Sequence, residues 1–476
     1  MGAMLERGVA PVAVLEALGG FTGGDVDWQS GRVLTGVYDP GHEAHELAVQ
    51  AYTRFLAHNA LYVNMYPSLS RLEQEVVASV LMLLRGDDEA VGNITSGGTE
   101  SILMAVKTAR DQARANRPEL RDPQIVVPVT AHPAFIKAAH VCGLKVVQTP
   151  VDSQGFRADV GAFEKALGPD TVLAVGSAPN FSHGTIDPIE AMSEAARERG
   201  ILFHVDGCVG GIYLSLLRRM GEPVRDFDFS LPGVTSISTD LHKYGYVPKN
   251  ASVVLYRNRE LRQHAWFVCT GTTEYAVINP TMQSTRTGGP VAAAWAMFRY
   301  MGEAGYVELV RRSQEATARM LEAIDGMVGI EVLADPEMCM FTLASSTLNV
   351  FEVDDEMRQR GWHMIPQYAC GGSPANLHVS VSDANVARTE AFLADLDAVV
   401  SRLRENGSGV DQARIEQVIA EVEGQPAEAV MGALMPVVGL EGADLPERMA
   451  PLNTAMNLLP ATTRDEILTF YFNMMY

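Results

Sequence analysis

An alternation of short β-rich runs and helical segments between residues 86 and 260 constrains the fold more than any other feature. The β-rich runs are IVVP at 125–128, KVVQTPV at 145–151, TVLAVGSAP at 171–179, ILFHVD at 201–206, VTSIS at 234–238 and SVVLY at 252–256. Helical patterns such as ESILMAVKTARDQARA and PIEAMSEAARERG lie between them. This order predicts a wound α/β sheet. Ligands of such sheets bind beyond the carboxyl ends of the strands, so functional residues are expected just after these runs.

Composition excludes several classes of function. The 476 residues carry a formal net charge of −21, which argues against a nucleic-acid partner because such binding needs a basic face. No apolar run approaches the ~20 residues that span a bilayer, so no integral membrane segment is expected. The cysteines are scattered and form no CxxC pair, which predicts no metal site, no disulfide framework and a reducing, cytoplasmic location. They are Cys142, Cys208, Cys269, Cys339 and Cys370.

The pattern along the chain predicts four regions. They are an N-terminal helical arm (1–65), a large α/β domain (66–305), a smaller C-terminal α+β domain (306–404) and an acidic helical extension (405–476). A helix is expected from Ser68 to Gly86, another from 290 to 325, and a third ending near Leu403. In the smaller domain, STLNVFEV and NLHVSVS look like strands, and ENGSG at 405–409 is a candidate hinge.

Candidate site residues follow the β-rich runs. After VGNI comes TSGGTES, Thr95 to Ser101, at the start of a helix. Its two glycines permit close approach of the backbone, and hydroxyl groups beside a helix N-terminus bind an anion such as phosphate. The same residues also fit a simple capped turn, with Thr99 as the cap and Glu100 in the first turn.

Two further strand ends carry polar residues. His132 follows IVVPVT, and Asp206 ends ILFHVD ahead of the small residues GCVGG. A lone histidine is more often structural than functional, and Asp206 alone would fit a helix cap or a turn. A carboxylate at such a strand end can also hold a protonated ring nitrogen.

The stretch STDLHKYGYVPK places Lys243 where the buried run VTSIS ends. A buried lysine is costly unless it is paired or chemically used. An amine beside a bound aldehyde forms a Schiff base, and burial is expected to lower its pKa towards reactivity. A phosphate turn, a histidine, an aspartate and this lysine, in that order along an α/β chain, describe a site for pyridoxal 5′-phosphate (PLP).

The chain resembles the sphingosine-1-phosphate lyase family of fold-type I PLP enzymes, which is related to the group II amino-acid decarboxylases. The matching stretches, between about residues 55 and 395, include TSGGTESILMAVKTARD, AHPAFIKAA, SAPNFSHGTIDPI, HVDGCVGG, FDFSLPGVTSISTDLHKYGYVPK and STRTGGP. The string HKYGYxPK, with FDF and GVTSIS before it, is specific to the lyase branch. The resemblance implies a fold-type I, PLP-dependent transferase-like α/β fold with a mostly parallel seven-stranded sheet and a smaller C-terminal α+β domain.

The resemblance also implies roles at the cofactor. Lys243 forms the Schiff base beside His242, Asp206 pairs with the pyridine nitrogen, and His132 stacks on the ring. The cofactor phosphate is held by Gly97, Gly98 and Thr99 and, from the other subunit of a homodimer with shared active sites, by Gly288 and Gly289.

For the substrate, the resemblance implies that Lys249 binds a phosphate, with a surface lysine in a Pro-containing loop as the alternative. His183 in FSHG matches a family histidine near the cofactor, and Ser284 lies in a loop that borders the substrate. Tyr244 and Tyr246 match family tyrosines, which either hydrogen-bond the substrate, with Tyr246 in a catalytic role, or brace the loop.

The implied reaction is retro-aldol cleavage of the C2–C3 bond of a phosphorylated long-chain base such as sphingosine 1-phosphate. The products are a long-chain aldehyde and phosphoethanolamine, and the base for the C3 hydroxyl is Lys249, a tyrosine or a substrate phosphate oxygen. A group II decarboxylase that releases carbon dioxide shares every cofactor residue and is the alternative enzyme. A regulator or scaffold that only binds the cofactor is the alternative from another class.

One segment departs from the family pattern. Ser284 and Thr285 stand where the family has Gly-Ser, Thr287 stands where it has Pro, and Asn250 replaces a glycine after YxPK. Because the loop at 270–287 borders the substrate, a different substrate preference would arise there.

Overall fold

The computed structural model describes residues 7–273, 275–440 and 444–475. The predicted α/β sheet lies at its centre and has seven strands. They are β1 (Val91–Thr95), β2 (Gln124–Pro128), β3 (Lys145–Thr149), β4 (Thr171–Ser177), β5 (Leu202–Asp206), β6 (Ser236–Asp240) and β7 (Ser252–Tyr256).

The strand order is β1-β7-β6-β5-β4-β2-β3, and β7 runs antiparallel to both of its neighbours while the other pairs are parallel. All residues of β4, β6 and β7 are buried. Both faces of the sheet are therefore covered, which explains why these strands read as continuous apolar or small-residue runs. The mostly parallel seven-stranded sheet implied by the resemblance is confirmed.

The helices up to residue 262 are α1 (Pro11–Phe21), α2 (His42–Arg54), α3 (Pro67–Leu83), α4 (Gly98–Asn116), α5 (Ala134–Cys142), α6 (Val160–Ala166), α7 (Ile189–Glu198), α8 (Gly210–Arg219) and α9 (Arg259–Arg262). Helices α3 to α9 pack against the sheet or connect its strands. Helix α3 shows why the sequence pattern correctly predicted a helix in this region. Pro67 occupies its first turn, and Leu69, Val76 and Val80 recur on one buried face.

A hairpin and a long helix follow the sheet. The hairpin consists of β8 (Phe267–Cys269) and β9 (Val277–Asn279), and the helix α10 (Gly289–Asp325) has 37 residues with a kink at Gly302. The kink residue has φ 55° and ψ −177°. Helix α10 confirms the predicted helix at 290–325. It also passes through the predicted domain boundary at 305/306, and the four-region division remains a prediction.

The smaller domain holds an antiparallel sheet of order β10-β11-β13-β12. Its elements are β10 (Glu331–Leu333), β11 (Met340–Ala344), α11 (Val350–Arg358), β12 (Ile365–Gln367), β13 (Asn376–Ser380), α12 (Asp383–Val386) and α13 (Thr389–Asn406). Strand β13 confirms the prediction for NLHVSVS, and α13 confirms the helix that was expected to end near Leu403.

The prediction of a strand at STLNVFEV is wrong. The side chain of Asn349 accepts a hydrogen bond from the Phe351 N–H and caps α11, so the second half of this stretch is helical. Val350, Val353 and Met357 then recur at helical spacing on the buried face. The strand of this region is β11, whose sequence MFTLA is wholly buried.

The C-terminal extension is helical, as predicted, and comprises α14 (Gln412–Glu421), α15 (Ala427–Val438), α16 (Ala450–Leu458) and α17 (Ala461–Met475). These helices enclose an apolar core of their own. Polar contacts fasten the extension to the smaller domain: both carboxylate oxygens of Asp355 accept backbone N–H groups, from Met449 and Ala450, at 2.9 and 2.8 Å. Within the described residues, no helix has the length and apolar character needed to cross a membrane.

Candidate active site

A cavity of about 320 Å³ lies at the carboxyl edge of the large sheet. Its walls are Ser96, Gly97, Gly98, Thr99, Glu100, Ile102, His132, Asp206, Cys208, Asp240, His242 and Lys243. Strand register brings them together, because Thr95 and Asp240 both pair with Ser252 while Asp206 pairs with Ser238. Seven predicted site residues share this cavity, namely Gly97, Gly98, Thr99, His132, Asp206, His242 and Lys243.

The N-terminus of α4 forms one wall. Gly97 is the residue before the helix, and no side chain caps the first turn. Thr99 is therefore not the cap that the alternative reading proposed; it lies inside the first turn. A helix start with uncapped N–H groups and a positive dipole end is an anion site.

Close packing makes Gly98 necessary at this wall. A Cβ atom at Gly98 would lie 2.9 Å from both carboxylate oxygens of Asp240 and 3.0 Å from the Cys208 sulfur. A glycine lets the helix start approach the carboxylate closely, which no residue with a side chain would allow without displacing Asp240.

Asp206 and His132 hold fixed positions around the cavity. The Asp206 Oδ1 atom accepts a hydrogen bond from the Cys208 N–H at 3.0 Å. His132 Nδ1 accepts one from the Ala134 N–H at 3.1 Å, which leaves its proton on Nε2. Both side chains are thus oriented by backbone groups.

Lys243 forms an ion pair with Asp240, with 3.1 Å between Nζ and Oδ2. Burial by itself would lower the pKa of Lys243, but the Asp240 carboxylate raises it above its ordinary value. The pKa of Asp240 is lowered in turn: burial opposes this, and the charge of Lys243 is the main cause that outweighs burial. The expectation of a lowered pKa for the free Lys243 amine is therefore wrong, because the Asp240 carboxylate in contact with it outweighs the effect of burial.

His242 presents a neutral ring to the cavity. Burial lowers its pKa despite the nearby Asp240 carboxylate. Its Nδ1 atom lies 2.7 Å from the Ala251 carbonyl oxygen, and its Nε2 atom lies 3.6 Å from Asp240 Oδ2. The ring is therefore held between the backbone at Ala251 and the Asp240 carboxylate, beside Lys243.

Lys249 lies outside the cavity wall but close to its charges. Its Nζ atom donates to the Gly36 carbonyl at 2.8 Å and lies 5.2 Å from the centre of the Tyr38 ring. Burial and the charge of Lys243 lower the pKa of Lys249. The hydrogen bond to Gly36 uses one of the three N–H donors of an ammonium group, so the predicted role in phosphate binding remains open to it.

Tyr244 and Tyr246 belong to the loop between β6 and β7 that also carries Lys243, but neither of them lies on the cavity wall. The Tyr244 hydroxyl donates to the Val381 carbonyl at 3.0 Å, and the ring packs edge-on against Tyr38 and Tyr213. Tyr246 is buried between Tyr244 and Tyr306. This placement does not support a substrate contact or a catalytic role and favours the alternative that both tyrosines brace the loop.

His183 also lies outside the cavity. Its ring stacks on Phe156 with 4.0 Å between ring centres, and Nε2 is hydrogen-bonded to Ser373 Oγ at 2.9 Å. Burial lowers the pKa of His183 to about 4. The structure therefore places this histidine between the large and the smaller domain, and its contact with the substrate stays a prediction.

Three further predicted residues also lie away from this cavity. Ser284 lines a separate groove of about 800 Å³ between α3 and the β8–β9 hairpin. Gly288 and Gly289 lie at the start of α10, close to Leu69 and Tyr52 of the same chain. A contribution of these glycines to the phosphate of the other subunit remains a prediction.

Sequence reasoning missed three residues next to Lys243. Asp240 stands three residues before it in STDLHK, so its position at a strand end was a usable signal. Cys208 lines the cavity, and burial, Asp206 and Asp240 raise the pKa of its thiol, which stays protonated. Tyr38 comes from the distant N-terminal arm, and no local pattern indicated it.

These residues fit PLP. The donor set contains an uncapped helix start for a phosphate, a carboxylate at a strand end for a ring nitrogen, a histidine and an amine, all in one cavity. The Asp240 Oδ1 atom is buried and has no hydrogen-bond partner among the described residues. Within those residues, no cluster of three or more His, Cys, Asp or Glu side chains could hold a metal ion.

The fold and the cavity define a class of protein. Residues 26–343 match the family described as "Pyridoxal-dependent decarboxylase conserved domain", and residues 413–474 match the family described as "Pyridoxal-dependent enzyme, C-terminal putative HTH domain". This protein is a PLP-dependent enzyme of the decarboxylase fold.

Individual relatives narrow the class. The sphingosine-1-phosphate lyase of Oryza sativa is 39% identical over 399 residues, covering 82% of this chain and 72% of the rice protein. The structure of a sphingosine-1-phosphate lyase from Burkholderia pseudomallei superposes with a TM-score of 0.81 at 35% identity, covering 89% of this chain and 96% of that chain. The chain belongs to the sphingosine-1-phosphate lyase family. A Pyrococcus abyssi protein named "Probable L-aspartate decarboxylase" is 32% identical over 357 residues, covering 75% of this chain and 90% of that protein.

Proposed function

We propose that this protein cleaves phosphorylated long-chain bases such as sphingosine 1-phosphate into a long-chain aldehyde and phosphoethanolamine. The observation that carries this proposal is a second cationic group, Lys249, beside the cavity that holds Lys243. The α4 N-terminus provides one anion site and Lys249 a second, so the site suits a phosphorylated substrate as well as a phosphorylated cofactor.

Several side chains position the reacting groups. The first turn of α4 would bind the cofactor phosphate, Asp206 would hold a proton on the pyridine nitrogen, and His132 would stack on the ring. Bound PLP supplies the electron sink for carbon–carbon cleavage. Lys243 would provide the amine that binds the cofactor covalently.

The neighbouring polar groups restrict where protons reside. Burial raises the pKa of Tyr38 to about 12, so its hydroxyl stays protonated. Tyr244 and Tyr246 lie outside the cavity. Of the candidate bases for the C3 hydroxyl, these placements leave Lys249, whose pKa is lowered by burial and by Lys243, and an oxygen of the substrate phosphate.

A homodimer with shared active sites is part of the proposal. The exposed apolar residues Ile278, Tyr62 and Val63 line the groove of about 800 Å³, and Phe267 and Val268, which share the β8–β9 hairpin with Ile278, are also exposed. An apolar patch of this kind is typical of a protein interface. Size-exclusion chromatography with light scattering should show a dimer, and an active monomer would contradict the proposal.

A cytoplasmic location is also proposed. The five cysteines are all free thiols in the described structure, and four of them are at least partly buried. Unpaired, scattered cysteines suit a reducing compartment.

A product assay tests the proposed reaction. The PLP-loaded protein is incubated with sphingosine 1-phosphate, and mass spectrometry measures the long-chain aldehyde and phosphoethanolamine. Both products should appear in equal amounts, and Lys243→Ala should reduce the rate by about 10³-fold or more together with the yellow colour of the lysine-bound cofactor. Lys137→Ala, at an exposed position on α5, is the matched control.

The second candidate is an amino-acid decarboxylase, which the Pyrococcus relative favours. It predicts carbon dioxide release from an amino acid such as aspartate. Yellow, cofactor-loaded protein that yields no aldehyde from sphingosine 1-phosphate but releases carbon dioxide from an amino acid would replace the lyase proposal with this one.

A further inference from the structure

Asp240 is placed more closely against Lys243 than any other acidic group of the cavity. It is the last residue of β6, is 3% exposed, and has its Oδ2 atom 3.1 Å from Lys243 Nζ. The expected partner of the cofactor ring, Asp206, ends the neighbouring strand β5. The cavity therefore contains two carboxylates at adjacent strand ends, and only Asp240 is within ion-pair distance of Lys243 among the described residues.

The position of Asp240 is fixed on three sides. Its backbone N–H donates to the Cys208 carbonyl at 3.1 Å, and its strand pairs with β7 at Ser252. The start of α4 packs against the carboxylate, since a Cβ atom at Gly98 would lie 2.9 Å from both oxygens. The positive end of the α4 dipole faces the carboxylate and stabilises its negative charge.

Other titratable groups surround the pair but act from farther away or are already engaged. Glu100 of α4 accepts N–H groups from Ser96, Met282 and Gln283. The remaining groups are His132, Asp206, Cys208, His242, Tyr38 and Lys249. Because an opposite charge in direct contact dominates over charges at longer range, Asp240 is the main partner of Lys243.

We propose that Asp240 is a positioning residue that holds Lys243 Nζ in the cavity and keeps a proton on it whenever the amine is free. The free amine is then an ammonium group held beside the reacting atoms instead of a flexible side chain in solvent. Before Nζ can bond to the cofactor aldehyde carbon, with loss of water, its proton must leave to solvent or to a neighbouring base. This role goes beyond the proposed reaction and does not depend on which substrate is cleaved.

The first test needs no variant. The full-length apoprotein, from which the cofactor has been removed, is treated with trace acetic anhydride at pH values from 6 to about 12, and acetylation of individual lysines is measured by peptide mass spectrometry. Only the neutral amine reacts, so the midpoint of the pH profile reports the proton affinity of each lysine. Lys243 should show a midpoint above that of exposed Lys137 in the same digest.

The second test removes the charge. Asp240→Asn should lower the Lys243 midpoint by about 1–3 pH units, which is a 10- to 1000-fold loss of proton affinity. Asp206→Asn is the matched control, because it removes a carboxylate from the same cavity without touching Lys243. The fold-change that Asp206→Asn causes in the proton affinity of Lys243 should be at most a tenth of the fold-change caused by Asp240→Asn. A role of Asp240 in folding alone would leave the Lys243 profile unchanged in protein that retains its native circular dichroism.

Three results would overturn the proposal. They are a wild-type Lys243 midpoint at or below that of Lys137, no shift in Asp240→Asn, and equal shifts in Asp240→Asn and Asp206→Asn. Should Asp240→Asn fail to fold, the wild-type comparison still decides. Because none of these measurements involves substrate, they are independent of the outcome of the product assay.

Discussion

Lys243 and Lys249 are two lysines with opposite electrostatic surroundings. Lys243 contacts a carboxylate, which keeps its charge in place. Lys249 contacts only a carbonyl oxygen and an aromatic ring among the described residues, and the charge of Lys243 acts against its own. A lysine without an acidic partner in a partly buried position is suited to an anion that arrives with the substrate.

We predict that Lys249→Ala leaves cofactor binding unchanged and weakens substrate binding. The spectrum of the bound cofactor should be unchanged, while KM for a phosphorylated long-chain base rises about 10- to 100-fold, as expected for a lost hydrogen bond between charged groups worth about 1.5–3 kcal/mol. Steady-state kinetics measure this, with Lys137→Ala as the control. An unchanged KM would make Lys249 a structural residue.

We predict that Gly98→Ala disturbs the cofactor site. The added methyl group would lie 2.9 Å from the Asp240 oxygens, so the carboxylate or the helix start must move. PLP affinity, measured by titration of the apoprotein, should fall at least about tenfold. Gly432→Ala is the control, because Gly432 lies within α15 with open space where the methyl group would go. Equal affinity in both variants would show that the contact tolerates a side chain.

The site could be predicted in part from the sequence. Gly97, His132, Asp206 and Lys243 follow strand ends, and the carboxyl edge of the sheet brings strand ends together regardless of sequence distance. Tyr38 could not be found in this way, because its place beside Lys243 depends on how the N-terminal arm crosses the smaller domain. Asp240 was within reach of the same reasoning, but local spacing does not show that a carboxylate contacts the lysine.

At the scale of elements, helix α11 has two structural roles in the C-terminal half of the chain. Its cap, Asn349, turns the apolar run STLNVFEV into a helix. Short apolar runs do not distinguish a strand from a buried helix by periodicity alone, which is why this stretch was assigned incorrectly. The parallel strands were assigned correctly, because β-branched runs bounded by helical segments leave fewer alternatives.

The same helix anchors the C-terminal extension, and we predict that Asp355→Ala releases it. Removing the carboxylate leaves the Met449 and Ala450 N–H groups without their partner, at a cost of about 1–3 kcal/mol. Limited proteolysis should then cut the segment at 405–411 faster than in the wild type. The control is Asp397→Ala, an exposed aspartate on α13, and equal cleavage rates in the two variants would contradict the prediction.

At the scale of the whole molecule, three buried histidines link stability to pH. Burial lowers the pKa of His204 to about 4, of His378 to about 3 and of His183 to about 4. An unfolded chain binds protons at these positions near pH 6.5, before the folded chain does. Their stabilising effect is therefore complete above about pH 6.5 and is lost as the pH falls towards about 4.

We predict that the melting temperature falls between pH 7 and pH 5. Each histidine contributes about 1.4 kcal/mol per pH unit in this window. Asp187 acts in the opposite direction, because burial raises its pKa to about 6. Burial also raises the pKa of two further carboxyl groups, Asp354 and Asp383. Burial lowers the pKa of His242 and His363 as well, so the histidines outnumber these carboxyl groups. Scanning calorimetry measures the effect, and His204→Asn should flatten the slope. A melting temperature that rises or stays constant on acidification would contradict the prediction.

The contact between the α4 helix start and Asp240 has a consequence for the history of related sequences. A side chain at position 98 would compete with the Asp240 carboxylate for the same space, although 142 positions separate the two residues in the chain. A descendant that replaced Gly98 with a larger residue would retain a working site only after a compensating change at position 240. Across related chains these two positions should therefore change together, and a lineage that has lost one should have lost the other.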